Sequence, residues 1–217
     1  MVDWLLLETA MKGPRVKLLD SPAAPNPRRV RIFLAEKGIE VEKEEIDIGA
    51  GVNRQSPYTD QNPMGGVPVL VLDDGTWLAE SVAICRYFED LQPEPQLMGR
   101  TGQERAEVEM WNRRMESEIL HTIAQAFRQS HKFFKGRIPQ VPEYGEACRG
   151  VAIKRMAWLD EELGQKKFVA GEEFTIADIT ALCGVDFGRV SKIKIDPAHK
   201  NLTRWHEVVS ARQSATA

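Results

Sequence analysis

Runs of basic residues are missing from this sequence. No block of lysine or arginine exceeds two, and the formal net charge is -3. Binding nucleic-acid phosphates needs a concentrated cationic face, so no nucleic-acid partner is expected. Long apolar runs are missing too, and the longest falls well short of the ~20 residues that cross a bilayer, so no membrane contact is expected. Trp4-Leu5-Leu6-Leu7 follows acidic Asp3 and precedes Glu8, unlike the basic start and longer apolar stretch of a signal peptide. Residues 1–14 therefore read as an N-terminal extension ahead of the fold. Cysteine is scarce and odd in number: Cys85, Cys148 and Cys183 lie far apart, each in an apolar helical pattern. They read as reduced core thiols of a cytoplasmic protein, which excludes a disulfide framework. The four histidines, His121, His131, His199 and His206, show no ligand spacing with cysteine or carboxylate, so no metal is expected.

What is present is an ordinary globular composition, 42% hydrophobic and 28% charged over 217 residues. That is enough chain for one large domain or two small ones. The first part alternates element types. Val16-Lys17-Leu18-Leu19 is a short strand, followed by a proline-rich loop from Ser21 to Pro27. Asn26-Pro27 has the form of an N-cap with proline at the first helical position, and Gly38 supplies the helix stop. Val41 to Ile48 alternates apolar with charged, giving a second strand and hence a right-handed β-α-β unit with parallel strands. After an irregular stretch from Gly49 to Gly66, two short strands flank Asp73-Asp74-Gly75, a strong hairpin signal. A helix begins at Ser81.

Gln92-Pro93-Glu94-Pro95 reads as a linker, and no strand signal follows it. Val108, Trp111, Met115, Ile119, Thr122 and Ala126 recur every three or four residues, predicting one long helix from Gln103 to Lys132. Further helices are predicted from Val151, Met156, Leu159 and Leu163, over Thr175 to Val190, and over Leu202 to Ser210. Phe174-Thr175-Ile176-Ala177-Asp178-Ile179 has a capping box, Thr175 to Asp178, inside a hydrophobic staple of Phe174 and Ile179. The expected organisation is an α/β domain over residues 15–91, a linker over 92–100 and an all-helical domain over 101–217.

The chemistry gathers where Val67-Pro68 opens the hairpin. A proline cannot donate to a ladder. A trans proline on an edge strand is the commoner case, but the order β-α-β, then Val-Pro opening a hairpin, then a helix favours a cis-proline at a sharp turn, which leaves the Val67 backbone free to pair with an extended peptide. Ser81, at a helix start, supplies a hydroxyl beside free N–H groups, a site for an anion. Glu80 beside it suits the amine of a zwitterion, although a solvated turn residue would look the same.

These segments, Asn62-Pro-Met-Gly-Gly-Val-Pro-Val-Leu, the Asp73-Asp-Gly hairpin and Glu80-Ser-Val-Ala-Ile, resemble the glutathione-binding half of cytosolic glutathione transferases. Phe174-Thr-Ile-Ala-Asp-Ile resembles the helix start of that family's C-terminal domain, and the likeness runs over about residues 15–212. It implies a thioredoxin-like N-terminal domain, an all-α C-terminal domain, a homodimer, glutathione as co-substrate and a role in detoxification. It also implies that Val67 clamps the glutathione cysteine, that Pro68 shapes the clamp, and that Glu80 and Ser81 hold the γ-glutamyl end. The family places a Tyr, Ser or Cys before its first helix. Here the loop reads Ser21-Pro-Ala-Ala-Pro-Asn26-Pro-Arg28, similar to a bacterial and fungal subgroup without that group. Ser21 is the only hydroxyl there. Ser21 and Asn26, the latter either a cap or a thiolate donor, are the catalytic candidates there, and with Arg28 and Gly66 they are candidates to bind glutathione. Gly66 stands where relatives carry a lysine.

The resemblance places the electrophile against the long helix, where Trp111, Arg114, Met115 and Glu118 are substrate-binding candidates and His121 is a candidate to hold a water or proton. Trp111 and Met115 share the apolar stripe and read more readily as core, while Arg114 and Glu118 are spaced to pair with each other. The expected activity is conjugation of the glutathione thiolate to a small hydrophobic electrophile. Glutathione-dependent peroxide reduction, other reduction, ether cleavage or dehalogenation, or non-catalytic ligand binding, remain as alternatives.

Overall fold

The computed structural model describes residues 16–217; the expected extension over 1–14 lies outside them. A four-stranded mixed sheet has the order β2-β1-β3-β4. Strand β1 (Lys17–Asp20) pairs parallel with β2 (Glu42–Glu45) and antiparallel with β3 (Val69–Val71), which pairs antiparallel with β4 (Trp77–Ala79). The hairpin closes through Gly75 at φ 84°, a conformation that favours glycine. Its N–H donates to the Leu72 carbonyl at 2.9 Å.

Helix α1 (Pro25–Lys37) crosses between β1 and β2 and buries Val30, Ile32, Phe33 and Leu34. Full burial of such side chains contributes about 1.5–3 kcal/mol each. Its start differs from the sequence expectation. Ala24, not Asn26, is the N-cap, with no side-chain cap, because Pro25 already supplies the preset φ of the first helical turn. Gly38 ends the helix at φ 65° as expected. The short α2 (Tyr58–Gln61) lies in the irregular stretch, and α3 (Ser81–Leu91) follows the hairpin.

The linker is tied to the first domain by Lys37, whose Nζ donates to the carbonyls of Gln92, Pro93 and Pro95. The predicted long helix is α4 (Gly102–Arg114), a π-helical segment (Met115–His121) and α5 (Thr122–Ser130) in unbroken succession. Thr101 and Glu104 form a reciprocal capping box at its start. Helices α6 (Pro142–Leu163), α7 (Ile176–Phe187) and α8 (Lys200–Ser210) complete the second domain. The expected apolar face of α6 holds at Met156, Leu159 and Leu163, but Val151 is exposed.

Helix α7 is the central post, buried continuously from Ile176 to Val185. Helix α1 of the first domain packs on it. A Cβ at Gly184 would stand 3.0 Å from Ile119 Cγ2, so glycine lets α7 approach the π segment closely. The α7 capping box forms as the sequence implies: Asp178 accepts from the Thr175 N–H at 3.0 Å, and Thr175 accepts from Ala177. Asp178 also accepts from Val169 N–H and Trp205 Nε1 at 2.8 and 2.9 Å. Burial pushes its carboxyl up to about 6 against these hydrogen bonds.

Candidate functional site

Strand β3 begins at Val69, so Val67 lies just outside the ladder, and the Val67–Pro68 bond is cis. The loop before it is held by four side chains. Asn53 Nδ2 donates to the Gly65 carbonyl at 2.6 Å and Arg54 Nη1 to that of Met64 at 2.9 Å. The Gly66 carbonyl accepts from both the Tyr58 hydroxyl (2.6 Å) and Asn62 Nδ2 (3.0 Å). Three successive carbonyls are thus each engaged by a side chain, which fixes the backbone leading into Val67. Gly65, at φ 58°, cannot be replaced in place, because a Cβ would collide with the Asn53 carbonyl oxygen. A Cβ at Gly66 would meet nothing within 4 Å.

Beyond the hairpin, Glu80 is the N-cap of α3 with φ 70° and ψ 114°, a left-handed backbone that a non-glycine residue rarely holds. Strain of this kind collects at binding sites. Its carbonyl accepts from Ile84 N–H, leaving the Ser81, Val82 and Ala83 N–H groups without a backbone partner among the described residues. Ser81 itself is buried, and its hydroxyl oxygen accepts from Arg29 Nη1 at 3.1 Å. Arg29 is fully buried, and the same nitrogen donates to Glu116 Oε1 at 2.8 Å. Because a hydroxyl has one proton and two lone pairs, filling an acceptor site leaves the Ser81 proton to donate elsewhere.

The start of α1 is poorer in donors. Pro25 and Pro27 have no N–H, and the Arg28 N–H reaches the Ala24 carbonyl at 3.2 Å. Among the described residues this leaves the Asn26 N–H as the one unpartnered backbone donor of the first turn. The Asn26 side chain is exposed; Ser21 is buried, its carbonyl accepting from Ala24 N–H at 3.0 Å.

A cleft of about 1120 Å³ opens between the domains beside this helix start, lined in part by Ala23, Ala24, Pro25, Arg28, Phe187 and Ala215. Arg28 spans its floor, donating to Asp186 Oδ2 at 2.7 Å and to the Ala215 carbonyl at 3.1 Å. Burial pushes the Asp186 carboxyl up, but hydrogen bonds from His206 and Arg28 hold it below the usual range. A second groove, about 960 Å³, lies on the other face of the sheet around Tyr58 and Trp77, away from Ser81 and the α1 start.

The long-helix candidates do not line the interdomain cleft. Met115 is fully buried. Trp111 stacks on Trp158 at 5.9 Å, with the Arg114 guanidinium over its ring at 4.7 Å. Glu118 pairs with Arg155 at 2.6 Å rather than with Arg114, and His121 is exposed beside Gln125. No thiol is available as a nucleophile: all three cysteines are buried, and burial raises Cys85 and pushes Cys183 up to about 11. Among the described residues no cluster has the make-up of a metal site.

A thioredoxin-like half with a cis-proline before β3, joined across a cleft to an all-α half, defines a two-domain architecture. The profile of the glutathione S-transferase N-terminal domain matches residues 23–91, and that of the glutathione S-transferase C-terminal domain matches 117–213. Glutathione S-transferase 2 of Saccharomyces cerevisiae is 35% identical over 204 residues, 91% of this chain and 86% of that protein. The crystal structure of Gtt2 from the same yeast superposes with a TM-score of 0.88 at 34% identity, over 91% of this chain and 97% of that one. A glutathione S-transferase domain-containing protein from Marinobacter aquaeolei superposes with a TM-score of 0.87 at 37% identity, over 91% and 98%. The chain belongs to the glutathione S-transferase family.

Proposed function

We propose that the chain is a glutathione S-transferase that joins the glutathione sulfur to a small hydrophobic electrophile held in the interdomain cleft. Glutathione is the co-substrate. The observation that carries the reading is the start of α3, where three N–H groups without backbone partners among the described residues adjoin the Ser81 hydroxyl and strained Glu80. In this reading they take the γ-glutamyl carboxylate, Glu80 takes the amine, and the Val67 backbone pairs with the cysteine.

The thiol then falls at the start of α1. The Asn26 N–H and the positive end of the helix dipole stabilise the thiolate there without a side-chain hydroxyl. Attack forms a sulfur–carbon bond as the leaving group departs with its electron pair. The chain's work is to bind the tripeptide, lower the thiol pKa and align the acceptor. A cytoplasmic homodimer with a detoxifying role completes the proposal, and solution mass by light scattering tests the dimer. Retention on immobilised glutathione, followed by turnover of a chlorodinitrobenzene and of a hydroperoxide, tests the reaction. Retention with conjugation supports it; binding with peroxide reduction alone replaces it with a peroxidase.

A further inference from the structure

Arg137 is one of several side chains through which the helical domain reaches the first domain, beside Glu116 and Arg212. Between α5 and α6, residues 131–141 form a hairpin. It is held to its own domain by Gln140 Nε2, which donates to the carbonyls of Arg128 (2.8 Å) and His131 (3.0 Å), and by Gln129, which accepts from the Val141 N–H at 2.8 Å. From its tip, Arg137 donates to the carbonyls of Ile48 at 3.1 Å and Gly49 at 2.6 Å, in the segment that follows β2. Among the described residues these are the hairpin's only hydrogen bonds to the first domain.

Arg137 also stacks on Phe133, 4.3 Å from guanidinium to ring centre. Phe133 meets Phe134 edge-on at 5.0 Å, Phe134 meets Phe127 at 5.2 Å, and Phe127 meets Phe187 at 5.4 Å. Phe187 lines the interdomain cleft, as do Lys43 and Glu45 of β2, just before the carbonyls that Arg137 holds. A continuous row of aromatic rings thus runs from the cleft wall on α7 to the segment after β2, and Arg137 is its last link. All of these phenylalanines are partly buried; Phe187 packs against the core and lines the cleft, and the other three continue the row from it to Arg137.

We propose that Arg137 is a specificity-determining strap. It fixes the aromatic row across the mouth of the acceptor cleft and limits the size of the group attached to, or attacked by, the glutathione sulfur. The inference rests on the proposed placement of glutathione and acceptor. Its planar guanidinium spans two successive carbonyls at once, which a lysine ammonium does not reproduce. The pair is exposed, so removing it leaves the hairpin's own hydrogen bonds intact and costs little stability.

The test is titration calorimetry of wild type, Arg137→Ala and Arg137→Lys with two product analogues, S-methylglutathione and S-(naphthylmethyl)glutathione. The expected result is that Arg137→Ala raises the affinity for the naphthylmethyl conjugate relative to the methyl one by about tenfold, with Arg137→Lys between. Affinity for S-methylglutathione should stay within about twofold, since its small group does not reach the strap. An unchanged affinity ratio in Arg137→Ala, or equal loss for both ligands, would overturn the strap while leaving the glutathione site standing. Binding of neither analogue by wild type would overturn the glutathione reading and the strap with it.

Discussion

Arg29 donates to the hydroxyl oxygen of Ser81 across 3.1 Å, and through Glu116 the same buried nitrogen reaches the π segment of the long helix. The first helix of one domain therefore orients the hydroxyl at the proposed γ-glutamyl site, and the other domain steadies the arginine. Its Nε and Nη2 have no partner among the described residues. A buried cation so incompletely satisfied is costly, and the bond to Ser81 gives that cost a purpose.

Arg29→Met should raise KM for glutathione about tenfold while changing KM for the electrophile little, because a buried charged hydrogen bond is lost at one end of the site only. Stability should change little, because the Glu116 carboxylate left behind is partly exposed and keeps its bond to Arg113, and the under-satisfied buried cation is gone. Steady-state kinetics with each substrate varied, together with thermal melts, check both. Ser81→Ala combined with Arg29→Met should cost little more in glutathione affinity than either alone. Full additivity would mean that Arg29 does not act through the serine.

Asn26 separates side chain from backbone. Asn26→Ala keeps the one N–H of the α1 start that is free among the described residues, so turnover should stay within about threefold of wild type. Asn26→Pro keeps the φ of the first turn but deletes the donor, and should lower kcat about a hundredfold. Losing a donor to an anion raises its pKa, so the acidic limb of the kcat/KM profile should move up by about one pH unit in Asn26→Pro.

The clamp loop makes opposite predictions at adjacent glycines. Gly66→Lys meets open space and restores a cation beside the tripeptide. KM for glutathione should fall about threefold, as expected for one added charge-assisted contact. Gly65→Ala is forced into a left-handed backbone against the Asn53 carbonyl. It should lose about 2 kcal/mol or more of stability and weaken glutathione binding, measured by denaturant melts and calorimetry.

Asp178 sets a pH dependence of known sign. Its folded pKa of about 6 lies above the ordinary 3.8, so the native state binds the proton more tightly than the unfolded chain. The resulting stability is fully present below about pH 4 and fades as pH rises through 6. Relative to Asp178→Asn, which cannot titrate, wild type should lose roughly 1.4 kcal/mol per pH unit across that window. Parallel melting curves at pH 4.5 and 7 would contradict it.

The parts of this fold written in short stretches of chain were legible. Asp73-Asp74-Gly75 closes a hairpin, Gly38 ends a helix, and Thr175 to Asp178 caps one, because each depends on neighbours in sequence. Ser81 at a helix start was readable for the same reason. Asn53, Arg54 and Tyr58, which fix the clamp, were not, since their partners lie 8 to 12 residues away across an irregular loop. Arg29 carries no local signal of burial, and its partners Ser81 and Glu116 lie 52 and 87 residues away. The π segment left no mark, because its hydrophobic spacing fits an ordinary helix. Asn26 was read as a cap because its side-chain chemistry suits one, whereas Pro25 had already fixed where the turn begins.

The most direct test of the central claim is glutathione titration by calorimetry on wild type and Ser81→Ala. The account predicts one site per chain in the wild type, with affinity falling about tenfold when the hydroxyl is removed, as for a hydrogen bond to a charged group. Equal affinity in the two proteins would contradict the placement of the γ-glutamyl carboxylate at the start of α3. No binding by the wild type would contradict the glutathione reading as a whole.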